Sequence, residues 1–317
     1  MKKYLFFLVI AICSLQGFTQ KKFDFSFWED SLVNLRNEVM NAATETDKLV
    51  LNEDFMNLLE SILQEPNSFN YAWNKCINFS VISSEDHLFK IFTWFVEKED
   101  YTVENWGFLQ IYNENRKKYV IFSLYDQKQS LESPNEEITD HNGWYGAIYY
   151  KIIPLQTKTK TYYTLLGWNG NNLFSQQKII EILHFKKDMT PQFGAKIFKN
   201  VAQNKATRII FEYSKNSSFS LKYERQAYPV NTGKRDLKTK KIIYETVADN
   251  VIIFDKLIPV DESMSYITAF SVSESSLNQG FVEENGKWNF LPDVFGAGAD
   301  LPPNKYKKTN HTFYKQE

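Results

Sequence analysis

The stretch Phe89-Lys90-Ile91-Phe92-Thr93-Trp94-Phe95 indicates the fold class, because aromatic and β-branched side chains crowd into a short segment. Similar runs, separated by polar turns, occur at 106–112, 119–125, 145–153, 162–168, 209–213, 219–223, 242–247, 251–257, 266–272 and 281–291. Such runs are typical of antiparallel hairpins. We therefore predict a large antiparallel β-sheet or sandwich within residues 67–300. A propeller is the alternative, since Trp144-Tyr145-Gly146 resembles Trp106-Gly107 after an offset of 38 residues.

Residues 26–65 show helical periodicity instead, within a predicted N-terminal hairpin of residues 20–66. Trp28, Leu32, Leu35 and Val39 recur at i, i+4, i+7 and i+11, which places them on one helical face. Ser26-Phe27-Trp28-Glu29 has the pattern of a capping box, so we predict a helix start there. We predict a second helix after Asn52 that ends before Pro66, because proline cannot continue a helix. The two form an N-terminal helical hairpin.

One more helix is predicted inside the β region, near residues 175–183. Ser175 has the side chain of a helix cap, and Ile179, Ile180 and Leu183 would share one apolar face. His184 would then lie at the helix C-terminus, where a cation interacts favourably with the helix dipole. The predicted fold class is α+β.

The composition excludes several classes of protein. Hydrophobic residues make up 43% and charged residues 24%, with a formal net charge of -1, whereas disordered chains combine low hydrophobicity with a large net charge. Only 12 Gly and 9 Pro occur in 317 residues, which excludes collagen and low-complexity linkers. The charge balance lacks the basic excess of nucleic-acid binding. The basic run Lys234–Lys241 is interpreted as a solvated loop.

The first residues have the pattern of a secretory signal peptide. Lys2 and Lys3 precede the short apolar run 4–13, and Gly17-Phe18-Thr19 follows as the small-residue exit. We predict a signal peptide over 1–19 and an exported mature chain that is periplasmic, at the cell surface or secreted. Lipid anchoring at Cys13 is an alternative. Residues 301–317 are predicted to be a polar tail, and we expect no transmembrane helix in the mature chain.

Several segments together resemble secreted proteins of Bacteroidota. The resemblance lies in Ser83-Ser84-Glu85-Asp86 with Phe89–Trp94, in Trp106–Gln110, in Tyr162–Asn172, and in Asn285-Gly286-Lys287-Trp288. It covers roughly residues 68–185 well and the remainder loosely. The resemblance implies export and a bacterial source, and no particular reaction.

Candidate chemistry is sparse in this sequence. It contains no nucleophile elbow, zinc-helix motif, phosphate loop or dinucleotide turn, so we expect no cofactor. The densest set of candidate metal ligands is Glu136, Glu137, Asp140 and His141, with calcium as the candidate ion. A solvated acidic loop is the simpler interpretation of that set.

Tryptophans beside turn residues are the stronger functional signal. Trp106, Trp144, Trp168 and Trp288 each neighbour Gly or Asn near a predicted strand end. Exposed, they would form flat platforms for sugar rings or for a partner protein; buried, they would cover the core. The favoured hypothesis is a non-catalytic exported protein that binds a glycan or a partner protein at the cell envelope or outside the cell. A carboxylate-dependent hydrolase and a structural component of a surface assembly are the alternatives.

Overall fold

The computed structural model describes residues 23–113, 117–202 and 205–295. Two helices are followed by mostly antiparallel strands, which confirms the predicted α+β class. The predicted signal peptide (1–19) and polar tail (301–317) lie outside the described residues. No helix in the described part of the chain is long and apolar enough to cross a membrane.

The N-terminal hairpin consists of α1 (Phe25–Asn41) and α2 (Glu45–Gln64). Both helices begin earlier than predicted. Asp24, not Ser26, caps α1 by accepting a 3.1 Å bond from the amide of Phe27. Thr44 caps α2 by accepting from the amide of Asp47 at 3.1 Å. As predicted, α2 ends ahead of Pro66.

The predicted capping residue Glu29 has a different role. Its side chain is buried and accepts hydrogen bonds from the amide of Lys75 at 2.7 Å and from the hydroxyl of Tyr71 at 2.5 Å. A buried carboxylate needs such partners to offset its lost hydration. Glu29 therefore fastens α1 to the segment that leads into the sheets.

Fifteen strands of the described chain form three sheets. The first sheet has the order β1-β2-β3-β4, with β1 (Ser80–Ser83), β2 (Phe89–Glu97), β3 (Val103–Asn113) and β4 (Lys118–Tyr125). The second contains β5 (Thr139–Asp140), β6 (Ile148–Gln156), β7 (Thr161–Asn169), β8 (Ser175–Phe185), β9 (Pro191–Phe193) and β11 (Ile209–Ser214). The third contains β10 (Phe198–Lys199), β12 (Leu221–Arg235), β13 (Ile242–Pro259), β14 (Ser271–Glu283) and β15 (Trp288–Val294).

The helical hairpin and the three sheets stack in chain order. On β2, Phe89 and Ile91 face the core shared with the second sheet, whereas Phe92 and Trp94 face the helices. The first sheet is thus buried on both sides, which explains why its strands read as continuous apolar runs. A propeller would pack the first sheet against the last sheet. Here the face of the first sheet that points away from the second sheet packs on the helices instead.

The helix predicted near 175–183 is wrong, because these residues form β8. Ile179 and Leu183 face the core shared with the first sheet, while Ile180 and Ile182 face the core shared with the third. A central strand buried on both faces carries adjacent apolar residues, and such a run cannot be separated from a helix by spacing alone. The β-branched isoleucines are the residues that favour the strand.

The third sheet curls back on itself. The amide of Phe295, just after β15, donates to the carbonyl of Ala227 on β12 at 2.9 Å. Alternate residues of β13 then face opposite sides: Ile252 and Phe254 pack on the second sheet, and Val251 and Ile253 line the concave side. The concave side holds a small core of its own.

Candidate functional site: a groove on the third sheet

Two irregularities in strand pairing open the concave side of the third sheet. Between β13 and β14, Asp255 pairs with Asn278 but the next residue, Lys256, pairs with Glu274, so residues 275–277 fall between the two pairs. Between β14 and β15 the register shifts again after Asn278. Bulges bend a strand and redirect its side chains, and they often occur beside functional sites.

A cavity of about 790 Å³ lies at these bulges. It is called the groove below. Its polar lining residues are Ser220, Lys222, Glu224, Asp255, Ser276, Asn278 and Asp293. Its apolar part is formed by Pro229, Ile253, Leu277, Val294 and Phe295. Pockets of this size are typical of small-molecule sites, in which a few polar groups orient a ligand against apolar surface.

Asp255 is the fixed carboxylate of the groove. Its Oδ2 accepts a 2.8 Å bond from the amide of Ser220 and a 2.7 Å bond from the hydroxyl of Ser273. These bonds join the chain entering β12 to β14, so Asp255 holds the two sides of the groove in position. A carboxylate held by two donors is pre-organised, which reduces the cost of ordering it around a ligand.

The remaining charged groups of the groove differ in accessibility. Glu224 is half-buried and accepts a 2.8 Å bond from the side-chain amide of Gln226. Lys222 and Asp293 are exposed. Together with Asp255 these groups give three carboxylates against one ammonium. Carboxylates are strong hydrogen-bond acceptors, so the groove suits a ligand that is rich in donor groups.

The prediction of an exposed platform is wrong for two of the four tryptophans, because Trp144 and Trp288 are fully buried. Trp144 donates from Nε1 to the Tyr149 hydroxyl at 2.9 Å, and Trp288 donates from Nε1 to Thr164 Oγ1 at 2.7 Å. Each indole lies between stacked sheets with its one donor satisfied. Turn residues beside a tryptophan locate a strand end but do not say which way the ring points.

The other two tryptophans are half-buried and do not line the groove. Trp168 packs edge-on against Phe95 at 5.6 Å between ring centroids and donates to Gln176 Oε1 at 3.0 Å. Trp106 packs against the core beneath the helical hairpin. The structure therefore does not bring the four predicted platform residues to one surface.

The predicted metal ligands do not form a centre either. Glu137 accepts from the amide of Ser133 at 2.6 Å, and Asp140 accepts from the amide of Asn142 at 2.8 Å. Glu136 lies in the same loop as Glu137. The ring of His141 packs on Phe122. Among the described residues no group of three or more His, Cys, Asp or Glu could hold a metal ion.

His184 lies on β8 and not at a helix end. Its Nδ1 is 2.8 Å from the Nζ of Lys160, so the neutral imidazole accepts from the ammonium. Burial, and then the charge of Lys160, lower the pKa of His184 to about 4. Burial also lowers the pKa of Lys160. Neither residue lines the groove, and the pair is a structural contact between β8 and the start of β7.

Sequence reasoning missed both the groove and the aromatic residues that are exposed. Phe174, Tyr266 and Phe270 present rings to solvent, but none of them is a tryptophan beside a turn residue. A signal for the groove does exist: the polar run Ser273–Ser276 interrupts an apolar strand pattern, as a bulge does.

No protein-family model, curated protein or solved structure matches this chain. The geometry of the groove is therefore the basis for assigning a function.

Proposed function

We propose that this is an exported binding protein whose groove takes a glycan. The observation that carries the proposal is a cavity of about 790 Å³ that polar and apolar side chains line together. Sugars present hydroxyl donors around their edge and apolar C–H groups on their faces. The carboxylates of Glu224, Asp255 and Asp293 match the hydroxyls, and the exposed ring of Phe295 offers a stacking surface.

The shape of the site favours a small ligand over a protein partner. Stable protein interfaces bury about 800 Å² on each partner and are broad, whereas the groove is concave and confined to one sheet. Its volume falls inside the range of about 300–1,000 Å³ that is common for ligand pockets. The predicted signal peptide and the resemblance to secreted proteins support a glycan of the cell envelope or of the surroundings.

A thermal-unfolding screen tests the proposal. The purified protein is heated with a panel of soluble oligosaccharides, with short peptides as the comparison set. A ligand at 100 times its dissociation constant adds about 2.7 kcal/mol to the free energy of unfolding, which raises the melting temperature measurably. A rise with one class of glycan supports the proposal. No rise with any glycan, or an equal rise with peptides, contradicts it.

Hydrolysis of a glycan is the second candidate, because Asp255 and Asp293 both line the groove. Glycosidases use two carboxyl groups about 5–10 Å apart across the bond that is cleaved. The assay is release of reducing ends from the oligosaccharide that binds. Release by the native protein that is lost in Asp293→Asn would favour hydrolysis; an unchanged oligosaccharide favours binding alone.

A further inference from the structure

The hairpin between β12 and β13 extends beyond the third sheet as a two-stranded arm. β14 pairs with β13 only from Val251 to Pro259. The preceding part of β13 therefore has β12 as its neighbour, with Pro229 opposite Thr246 and Arg235 opposite Ile242. Residues 229–246 are called the β arm below. An isolated two-stranded hairpin is marginally stable in water, so such an arm gains from contact with another surface.

The tip of the β arm concentrates positive charge. Residues 234–241 contain five basic side chains and the single acid Asp236, a net charge of +4, in a chain whose formal charge is -1. The rest of the chain therefore carries a net charge of -5. An anionic surface would attract the tip and repel the body of the protein, which orients the molecule with the tip forward.

Apolar side chains are exposed beside these cations. Leu237, at the apex, is 86% exposed, and Tyr244 is 58% exposed. The strand register places Val230 and Ile243 on one face of the β arm and Tyr244 with Ile242 on the other. A protein partner that covered one face would leave the other face in water. Apolar groups on both faces suit insertion of the tip into a medium that surrounds it.

The turn at the tip is held in shape rather than loose. Oδ1 of Asp236 accepts from the amide of Thr239 at 2.6 Å and from the amide of Lys238 at 3.0 Å. The carbonyl of Lys240 accepts from Arg235 at 3.1 Å. These bonds fix the loop with Leu237 pointing away from it.

We propose that the β arm docks tip-first on an anionic lipid bilayer. Leu237 enters the interface, where apolar side chains leave water, and the flanking lysines and arginine pair with the lipid headgroups. This proposal is independent of ligand binding in the groove. An exported protein with this arm would hold its groove close to a membrane surface.

Co-sedimentation with vesicles tests this interaction. The full chain is mixed with vesicles of phosphatidylcholine alone, and with vesicles in which phosphatidylglycerol is one lipid in three. We expect binding to the second set and none to the first. Lys238→Gln/Lys240→Gln/Lys241→Gln should weaken binding roughly a hundredfold, since each cation near an anionic membrane contributes roughly fivefold. Leu237→Gln should weaken it roughly tenfold, because a buried apolar contact is lost.

The matched control is Lys158→Gln/Lys186→Gln/Lys187→Gln, which changes the net charge equally at exposed positions outside the β arm. It should bind anionic vesicles like the native protein. The proposal would be overturned if the control lost as much vesicle binding as the β arm variant, or if the native protein did not bind anionic vesicles. The proposal would also be overturned if Leu237→Gln bound vesicles like the native protein and the native protein bound polyglutamate as tightly as it binds vesicles. That result would identify an acidic chain as the partner.

Discussion

Nε of Arg208 donates to Oε2 of Glu181 at 2.8 Å, and both side chains are fully buried. The pair joins β8, the central strand of the second sheet, to the segment ahead of β11. Arg208 also donates to the carbonyl of Pro134, which fixes the loop that contains the predicted acidic cluster. Burial is the main influence on Glu181 and raises its pKa.

Removing one member of this pair should be costly. We predict that Arg208→Met lowers the free energy of unfolding by about 3–5 kcal/mol, because the charge of Glu181 is left buried without its counter-charge. The double variant Glu181→Leu/Arg208→Met should recover part of this loss, since no buried charge remains. Urea denaturation of the single and double variants measures both effects. A double variant as unstable as the sum of the two single variants would contradict this account.

Trp144 should contribute to stability rather than to ligand binding. Trp144→Phe removes the indole donor and leaves the buried Tyr149 hydroxyl without that bond, which should cost about 1–3 kcal/mol. The matched variant Trp168→Phe also removes an indole hydrogen bond, but at a half-buried position, and should cost less. Thermal melting gives the comparison. A weaker glycan shift in Trp144→Phe, with native stability, would instead support the platform hypothesis.

His184 should make the stability depend on pH. Its pKa is about 4 in the folded protein, against the ordinary value of 6.5. Between those values the unfolded chain binds a proton that the folded chain does not, so the free energy of unfolding falls as the pH decreases from 6.5 toward 4. His184→Gln should flatten this part of the profile. Urea midpoints between pH 7 and pH 5 measure it, and exposed His87→Asn is the control, which should keep the native slope.

The helical hairpin and the strands could be predicted because their signals are local. The spacing of Trp28, Leu32, Leu35 and Val39 is a property of one helix, and aromatic runs between turn residues belong to single hairpins. The error at β8 has a physical cause: a strand that packs on two cores has no alternating pattern.

The candidate site could not be predicted from local patterns. Asp255 is held by Ser220 and Ser273, which lie 35 and 18 residues away along the chain, and the groove exists because β14 and β15 shift register. The direction in which a tryptophan ring points is likewise decided by how sheets stack. Trp144 and Trp288 therefore appeared equivalent to Trp106 and Trp168 in the sequence, although the first two are core residues.

The most direct test of the groove assignment is calorimetric titration with the glycan that gives the largest thermal shift. Glu224→Gln/Asp293→Asn alters two groove carboxylates and keeps their shape, and Glu53→Gln/Asp54→Asn makes the same charge change on the exposed side of α2. We predict that the groove variant binds at least about tenfold more weakly, since hydrogen bonds to charged groups contribute about 1.5–3 kcal/mol each, while the α2 variant binds like the native protein. Native affinity in the groove variant, or equal weakening in both, would contradict the account.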